Sequence, residues 1–345
     1  MKNICNSGFK NVIVIGTGEV VAKRVRPSLQ LLVIEGLIER ICYCDLHQKS
    51  PFKDHTAAEF YCPVTTKGLD LKNLSRLDFL GQETLVLVCT STAYHAFYAK
   101  QAYGHVGRIA VEKPLTDDIT TAEALLPLED TVYPIGHQLF KQEMLDLTKR
   151  FANKTTSLSK IARAEFDLLE TRGIDNRQVD PATWDVGWHG LECLLAPIRK
   201  QDRLALLELH RTFSGSYTRG NEQADVSTLT RIEGAIGLED RQIPFVIRAG
   251  KAVATEQKTV RFYDDQDRIV DEASLSESGS DAHERLIREL LSPGEPDMQL
   301  DLDHVIEVVI ACESCTFNSI DCGTYEFGCT PSWMNSPVDL SLPVG

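Results

Sequence analysis

The chain has 345 residues, 43% apolar and 25% charged, the balance of a folded protein with material for two cores. Its formal net charge of -14 argues against a nucleic-acid or anionic-membrane partner, and no segment approaches the ~20 consecutive apolar residues of a membrane span. Ten scattered cysteines and a start with no apolar leader core set the expectation of reduced thiols in a cytoplasm.

Asn11–Ile15 is a continuous β-branched run, as in a buried parallel strand. Gly16-Thr17-Gly18 follows, and Glu19 opens a helical pattern with apolar residues at Val20, Val21, Val25, Leu29, Leu32 and Val33. Glycines let a backbone approach a pyrophosphate, and a helix amino terminus supplies N–H donors. Gly16, Thr17, Gly18, Glu19 and Val20 are therefore candidate cofactor contacts, with Val21 where a third glycine usually stands. A second strand, Ile41–Cys44, ends at Asp45. An acid there can accept both hydroxyls of an adenosine ribose and repels a 2′-phosphate, so NAD is the expected cofactor. His47, Lys49 and Lys53 nearby keep NADP as the alternative. Leu85–Val88 is a further buried strand, and Thr90 and Ser91 behind it either contact the nicotinamide half or cap the helix predicted over 93–103.

Ile109–Val111 reads as a short strand ending in Glu112-Lys113-Pro114. Pro114 stops the strand and biases Lys113 toward extended backbone, which holds a cation at a carboxyl-terminal strand edge. Ligands of open α/β sheets bind at that edge, where a lysine can fix a substrate hydroxyl and a nicotinamide together. The alternative is a loop in which Glu112 and Lys113 face water. A capped acidic helix is expected from Thr116 to about Leu128, then a last strand, Val132–Ile135. Beyond it His137 and Lys141 stand four apart, sharing a face if a helix starts there, either as a phosphate site or as a solvated face.

From about residue 145 alternating segments such as Ile161–Phe166, Phe245–Arg248 and Thr259–Tyr263 predict an antiparallel sheet. Helices are expected at Trp184–Ile198, Gln201–Leu209, His283–Leu291 and His304–Phe317, with loops at 214–226 and 272–282. Asp185 and His189, four apart on the first of these helices, can place a carboxylate against an imidazole. Such a pair serves as a general base for a hydroxyl proton, or as a structural histidine of a core helix. Cys312-x-x-Cys315, with Cys322 and Cys329 downstream, fits small buried hydrophobes better than zinc knuckles, and no metal is expected. The fold class is an α/β Rossmann dinucleotide-binding domain over residues 1–143. An α+β domain with a mainly antiparallel sheet follows over residues 144–345.

Several of these motifs together resemble the glucose-6-phosphate dehydrogenase family. Gly18–Pro27 with Leu31-Leu32 and Glu35-Gly-Leu37 is similar to its first turn and long helix, and Val111–Pro114 to its Glu-Lys-Pro motif. His137-x-x-x-Lys141 resembles its substrate-phosphate motif, and Glu170-Thr-Arg172-Gly173 its approach to the catalytic helix. Asp185 and His189 stand at its catalytic dyad, Ile243–Lys251 at a strand whose lysine reaches the sugar phosphate, and Ala282–Ile287 at a late helix. The resemblance implies that Glu112 and Lys113 contact the cofactor. It places Lys113, His137, Lys141, Glu170, Arg172, Asp185, His189 and Lys251 on the substrate. It also implies a homodimer formed through the second-domain sheet. Departures are a shorter chain, the missing third glycine, Asp45 in place of an arginine, and Gly136 in place of a sugar-binding acid. The dyad spacing equals the Asp-x-Gly-x-His of the glucose-fructose oxidoreductase and inositol dehydrogenase group.

The implied activity is hydride transfer from a hydroxyl of a sugar phosphate, glucose 6-phosphate or a relative, to NAD(P), with His189 as base. One alternative is oxidation of a ring secondary hydroxyl of a sugar phosphate or nucleotide to a ketone in a secondary-metabolite pathway. Another is a non-catalytic dinucleotide-binding sensor.

Overall fold

The apolar runs of the first 141 residues form six strands in the computed structural model. It describes residues 8–46, 56–65, 67–171, 181–203, 205–219, 222–223, 227–251, 253, 255–277, 279–326 and 329–336. The chain divides into two units, the first comprising 1–141 with 277–306 and the second 142–276 with 307–345. The segment 277–306 thus returns to the first unit, where the sequence reading ran the second domain on without interruption from 144.

The first unit holds β1 (Asn11–Ile15), β2 (Arg40–Asp45), β3 (Glu59–Pro63), β4 (Gly81–Val88), β5 (Val106–Glu112) and β6 (Val132–Ile135). They form one sheet in the order β3-β2-β1-β4-β5-β6. Every pairing in it is parallel. Val12, Ile13 and Val14 are buried in succession, because helices cover both faces of such a sheet. The strand order reverses between β1 and β4, and the carboxyl edge at that reversal is where an open α/β sheet binds ligands.

A π-helical turn, Val21–Val25, runs into α1 (Arg26–Ile34), followed by α2 (Leu71–Arg76), α3 (His95–Ala102) and α4 (Ile119–Glu123). Arg26 Nε donates to Glu59 Oε1 at 2.8 Å, which ties the start of α1 to β3 in the interior. The helix expected from Thr116 is shorter than its pattern. Asp118 caps it by accepting from Thr121 N at 2.8 Å, and Pro127, with no N–H, falls in a separate 3-10 turn at Leu126–Leu128.

The second unit begins with α5 (Gln142–Ala152), then β7 (Arg163–Glu170) and α6 (Trp188–Arg199), itself preceded by a π-helical stretch, Thr183–Gly187. Its eight-stranded sheet adds β8 (Leu206–Arg219), β9 (Glu222–Gln223), β10 (Leu229–Gly237), β11 (Gln242–Lys251), β12 (Gln257–Tyr263), β13 (Ile269–Ser274) and β14 (Ser319–Glu326). The order is β13-β12-β7-β11-β10-β8-β14, with β9 on β8. The sheet is mainly antiparallel, and β7–β11 and β8–β14 are its parallel pairs.

Where β7, β11 and β12 adjoin, Phe166, Ile247 and Phe262 are fully buried. There α6 approaches at Gly190, where a Cβ would stand 2.6 Å from Ile247 Cγ2 and 2.8 Å from Phe166 Cδ1. Charged side chains occupy other positions of the same strands, with Asp167 bonded to Arg248 at 2.9 Å and to Arg261 at 3.2 Å.

Two expectations fail here. Residues 206–209, predicted as helix, open β8, and 214–219 continue it in place of a loop. Leu206, Leu207 and Leu209 have helical spacing, but long-range pairing with β10, from Leu206↔Gly237 to Gly215↔Leu229, overrides that local signal. Likewise the loop expected at 272–282 is the end of β13, held by Ser274↔Thr259, and the start of α7 (Gly279–Leu290). The last helix, α8 (Leu302–Phe317), buries Cys312 and Cys315, while Cys322 is half-buried and Cys329 exposed. Among the described residues no helix is long and apolar enough to cross a membrane.

Candidate active site

Gly16 sets the geometry of the first turn. Its φ is +94°, and a Cβ would stand 2.8 Å from the Cys89 carbonyl carbon and closer still to its oxygen, so only glycine lets β1 and β4 deliver their ends side by side. Asp45, at the tip of β2, braces this turn. Its Oδ2 accepts from Thr17 N at 2.8 Å and from Thr17 Oγ1 at 2.6 Å, and its Oδ1 accepts from Leu46 N at 2.7 Å.

Beside these residues lies a cleft of about 990 Å³, a volume in the range of cofactor sites. Gly16, Thr17, Gly18, Glu19 and Val20 line it from the first turn and the residues after it, Asp45 from the second strand, and Thr90 and Ser91 from the loop after the fourth. Eight side chains and turn residues read as cofactor contacts thus meet in one place. Glu112 and Lys113, read with them, do not line this cleft. One part of its lining was not foreseen. Tyr94, Phe97 and Tyr98 line it, with Phe97 and Tyr98 edge-on at 5.1 Å, and their i, i+3, i+4 spacing was the available signal. Burial and the nearby Asp45 carboxylate raise the Tyr98 phenol above its ordinary value.

Glu112 ends β5, buried, with Lys113 half-buried behind it and a cis Lys113–Pro114 peptide. Lys113 N donates to Glu112 Oε2 at 2.5 Å. Burial alone would raise the Glu112 carboxyl. The nearby His283 imidazole, with the Lys113 charge and its N–H bond added, reverses that and leaves it below the ordinary range. His95, which the sequence reading passed over, lies in the interior and joins the loops after β4 and β5. Its Nδ1 is 2.8 Å from Pro114 O and its Nε2 3.1 Å from Thr90 O.

His137 and Lys141 are both buried, but not on one α-helical face. His137–Phe140 is a 3-10 turn, closed by Leu139 N to Gly136 O at 2.9 Å, and Lys141 leaves it extended at ψ 141°. In a 3-10 turn residues three apart eclipse, so the fourth points elsewhere.

In the second unit Asp185 lies in the π-helical stretch and its carboxylate is ion-paired with Lys251 Nζ, from the end of β11. Two residues read as substrate contacts thus touch. His189 is buried on α6, with Nδ1 3.6 Å from Glu192 Oε2, a buried acid that sequence reasoning did not single out although i, i+3 spacing displays it. Glu170, the register partner of Lys251, bonds Lys258 Nζ at 3.2 Å. Arg172 lies outside the described residues, as do His47, Lys49 and Lys53.

A doubly wound parallel sheet with a glycine turn, an acid at the second strand tip and a cleft at the switch point defines the Rossmann-like class. No protein-family model matches the chain, and no curated protein matches it. Among solved structures, glucose-6-phosphate 1-dehydrogenase from Mycobacterium avium is similar at 16% identity and TM-score 0.71, covering 94% of this chain and 96% of that one. GenD2 from gentamicin A biosynthesis, in complex with NAD, is 16% identical at TM-score 0.66, covering 90% and 94%. A point mutant of KijD10, a 3-ketoreductase from Actinomadura kijaniata in complex with TDP-benzene and NADP, is 16% identical at TM-score 0.62, covering 91% and 99%. At these identities the likeness is one of fold, a Rossmann-like domain plus a mixed-sheet domain, shared with oxidoreductases solved with NAD or NADP bound.

Proposed function

We propose that this protein is an NAD(P)-dependent oxidoreductase that oxidises a hydroxyl group of a phosphorylated sugar or a nucleotide-linked sugar. The observation that carries the reading is the meeting of eight predicted cofactor contacts in one cleft at the β1–β4 switch point. The residues present fit a dinucleotide. Gly16 admits no side chain, the turn and helix start offer backbone N–H groups, and Asp45 presents a carboxylate suited to the ribose hydroxyls of NAD. When bound, the nicotinamide supplies the hydride acceptor.

The protein's own part is position and proton transfer. His189 takes the hydroxyl proton, with Asp185 and Glu192 as the acids that orient it or stabilise its charged form. Lys113 holds the alcohol oxygen. Lys141, His137 and Lys251 supply cationic or donor groups for a phosphate, and Glu170 and Arg172 complete the substrate set. Two observations favour a ring hydroxyl oxidised to a ketone over the anomeric carbon of glucose 6-phosphate. Gly136 offers no side chain at the position where the resembled family binds the sugar. One structural neighbour is named as a 3-ketoreductase and was solved with a nucleotide analogue. A homodimer through the eight-stranded sheet belongs to the same proposal.

The test is reduced-cofactor formation with glucose 6-phosphate and with other sugar phosphates and nucleotide sugars, each with NAD and with NADP. Turnover that yields a ketone trapped by hydroxylamine supports the favoured reading, and a lactone that hydrolyses to an acid selects the glucose 6-phosphate activity. NAD binding without turnover on any of them would leave the sensor reading standing and remove the enzymatic one. Light scattering at working concentration tests the dimer.

A further inference from the structure

Three side chains with metal-binding chemistry converge in the first unit, in a place the cofactor cleft does not include. Glu112 closes β5, His137 follows β6, and His283 projects from the second turn of α7. One ligand atom from each lies within 4.8 Å of the other two. His283 Nε2 stands 3.6 Å from Glu112 Oε1. The His137 and His283 rings stack with centroids 4.7 Å apart and planes 24° apart. All three residues are at least nine-tenths buried, at 8%, 4% and 1% exposure for Glu112, His137 and His283.

We propose that Glu112, His137 and His283 form a binding site for a divalent transition-metal ion of the zinc class. Two imidazoles and one carboxylate are a donor set that zinc accepts with three protein ligands. Around an ion with bonds of about 2.1 Å, tetrahedral ligand atoms lie about 3.4 Å apart. The Glu112–His283 edge already has that length within a few tenths of an ångström, and the other edges, 4.8 Å at most, close by about 1.4 Å or less through side-chain rotation.

The surroundings are those of a braced site. Lys113 N–H holds Glu112 Oε2, which leaves Oε1 directed at His283, the outer bond that fixes a ligating carboxylate. Arg285 Nε donates to Phe140 O at 2.8 Å, and Ser28 Oγ donates to Ser280 O at 3.3 Å. The first contact ties the helix that carries His283 to the turn that carries His137 and the second ties it to α1, both independently of any ion. A carboxylate buried between two imidazoles calls for a cation. A divalent ion would engage all three side chains at once. The ion staples α7 to the carboxyl edge of the sheet. An imidazole has two ring nitrogens, so ligation at one leaves the other able to meet a phosphate oxygen. This inference goes beyond the proposed oxidoreductase function, and its readouts need no turnover.

The experiment uses the full chain, purified without a histidine tag after growth with added zinc. Elemental analysis is expected to find about one zinc per chain, removed by chelation during unfolding and restored on refolding with zinc. Zinc at about 100 times its dissociation constant is expected to raise the melting temperature of the stripped protein by roughly 5–10 °C. Cobalt(II) in its place should give the visible ligand-field absorption of a four-coordinate site with nitrogen and oxygen donors. His283→Asn should lower metal affinity at least about tenfold. If that variant does not fold, the cobalt spectrum of the unaltered protein decides. Metal below about a tenth of an equivalent with no thermal response, or equal occupancy in a folded His283→Asn, overturns the site and leaves Glu112 and His283 as an ion pair only.

Discussion

Two glycines of the first turn make opposite demands, and replacing each by alanine separates fold from ligand. At Gly16 an alanine must hold φ near +94° and bring its Cβ to 2.8 Å from the Cys89 carbonyl carbon. The backbone term costs about 1–3 kcal/mol and the overpacking a similar amount, since the obstacle is main chain of a neighbouring strand that cannot rotate aside. Gly16→Ala is therefore expected to lose roughly 3–5 kcal/mol of stability, read as a lower urea midpoint at unchanged slope. At Gly18 a Cβ meets nothing within 4 Å and φ is not in the left-handed region. Gly18→Ala should change stability by less than about 1 kcal/mol, with a small gain expected from the stiffer unfolded chain. If the pyrophosphate lies on this turn, the added methyl stands in its way, and NAD affinity by calorimetry falls about tenfold or more, some 1.4 kcal/mol. A Gly16→Ala protein as stable as its parent would refute the steric account. Undiminished NAD binding by Gly18→Ala would refute the placement of the dinucleotide.

Glu59, held by Arg26, Tyr43 and the Thr56 N–H, has its carboxyl at about 2 despite burial, against an ordinary 4.5. That depression is worth about 3 kcal/mol, fully present above pH 4.5 and lost as the pH falls through 2. Glu59→Gln should be less stable by about that amount at pH 7, with the gap to the unaltered protein narrowing below pH 4.5, and a gap independent of pH would refute the ion-pair account. His189→Asn should cut turnover by roughly 10² to 10⁴ with the fold intact by circular dichroism, and unchanged turnover would remove His189 as the base. Asp45→Asn keeps the shape of the brace on Thr17 and removes its charge. The ratio of NADP to NAD affinity should then rise by about tenfold, and an unchanged ratio would deny Asp45 the selecting role.

Most of the residues that meet in the cleft at the switch point were legible before the structure. A β-branched run, a Gly-x-Gly turn and an acid at the next strand tip are local patterns, and a parallel sheet carries their ends to a common edge whatever the rest of the chain does. The aromatic wall of Tyr94, Phe97 and Tyr98 was equally local and was missed because its spacing reads as ordinary helix packing. β8 shows the opposite limit. Leu206–Leu209 carries a helical signal, and only its pairing with β10 makes it a strand.

The sequence by itself determined the β–turn–α order, the identity of the residues at the strand tips and the chemistry they offer, because these depend on neighbours a few positions away. Tertiary structure alone decided which of those groups meet. It set Lys251 on Asp185, placed His137 in a 3-10 turn with Lys141 just beyond it, and returned α7 to the first unit so that His283 stands against Glu112 and His137. The reason is that a side chain's partners across a fold are set by strand register and helix docking. Both depend on the packing of the whole core and leave no periodic trace around the residue itself.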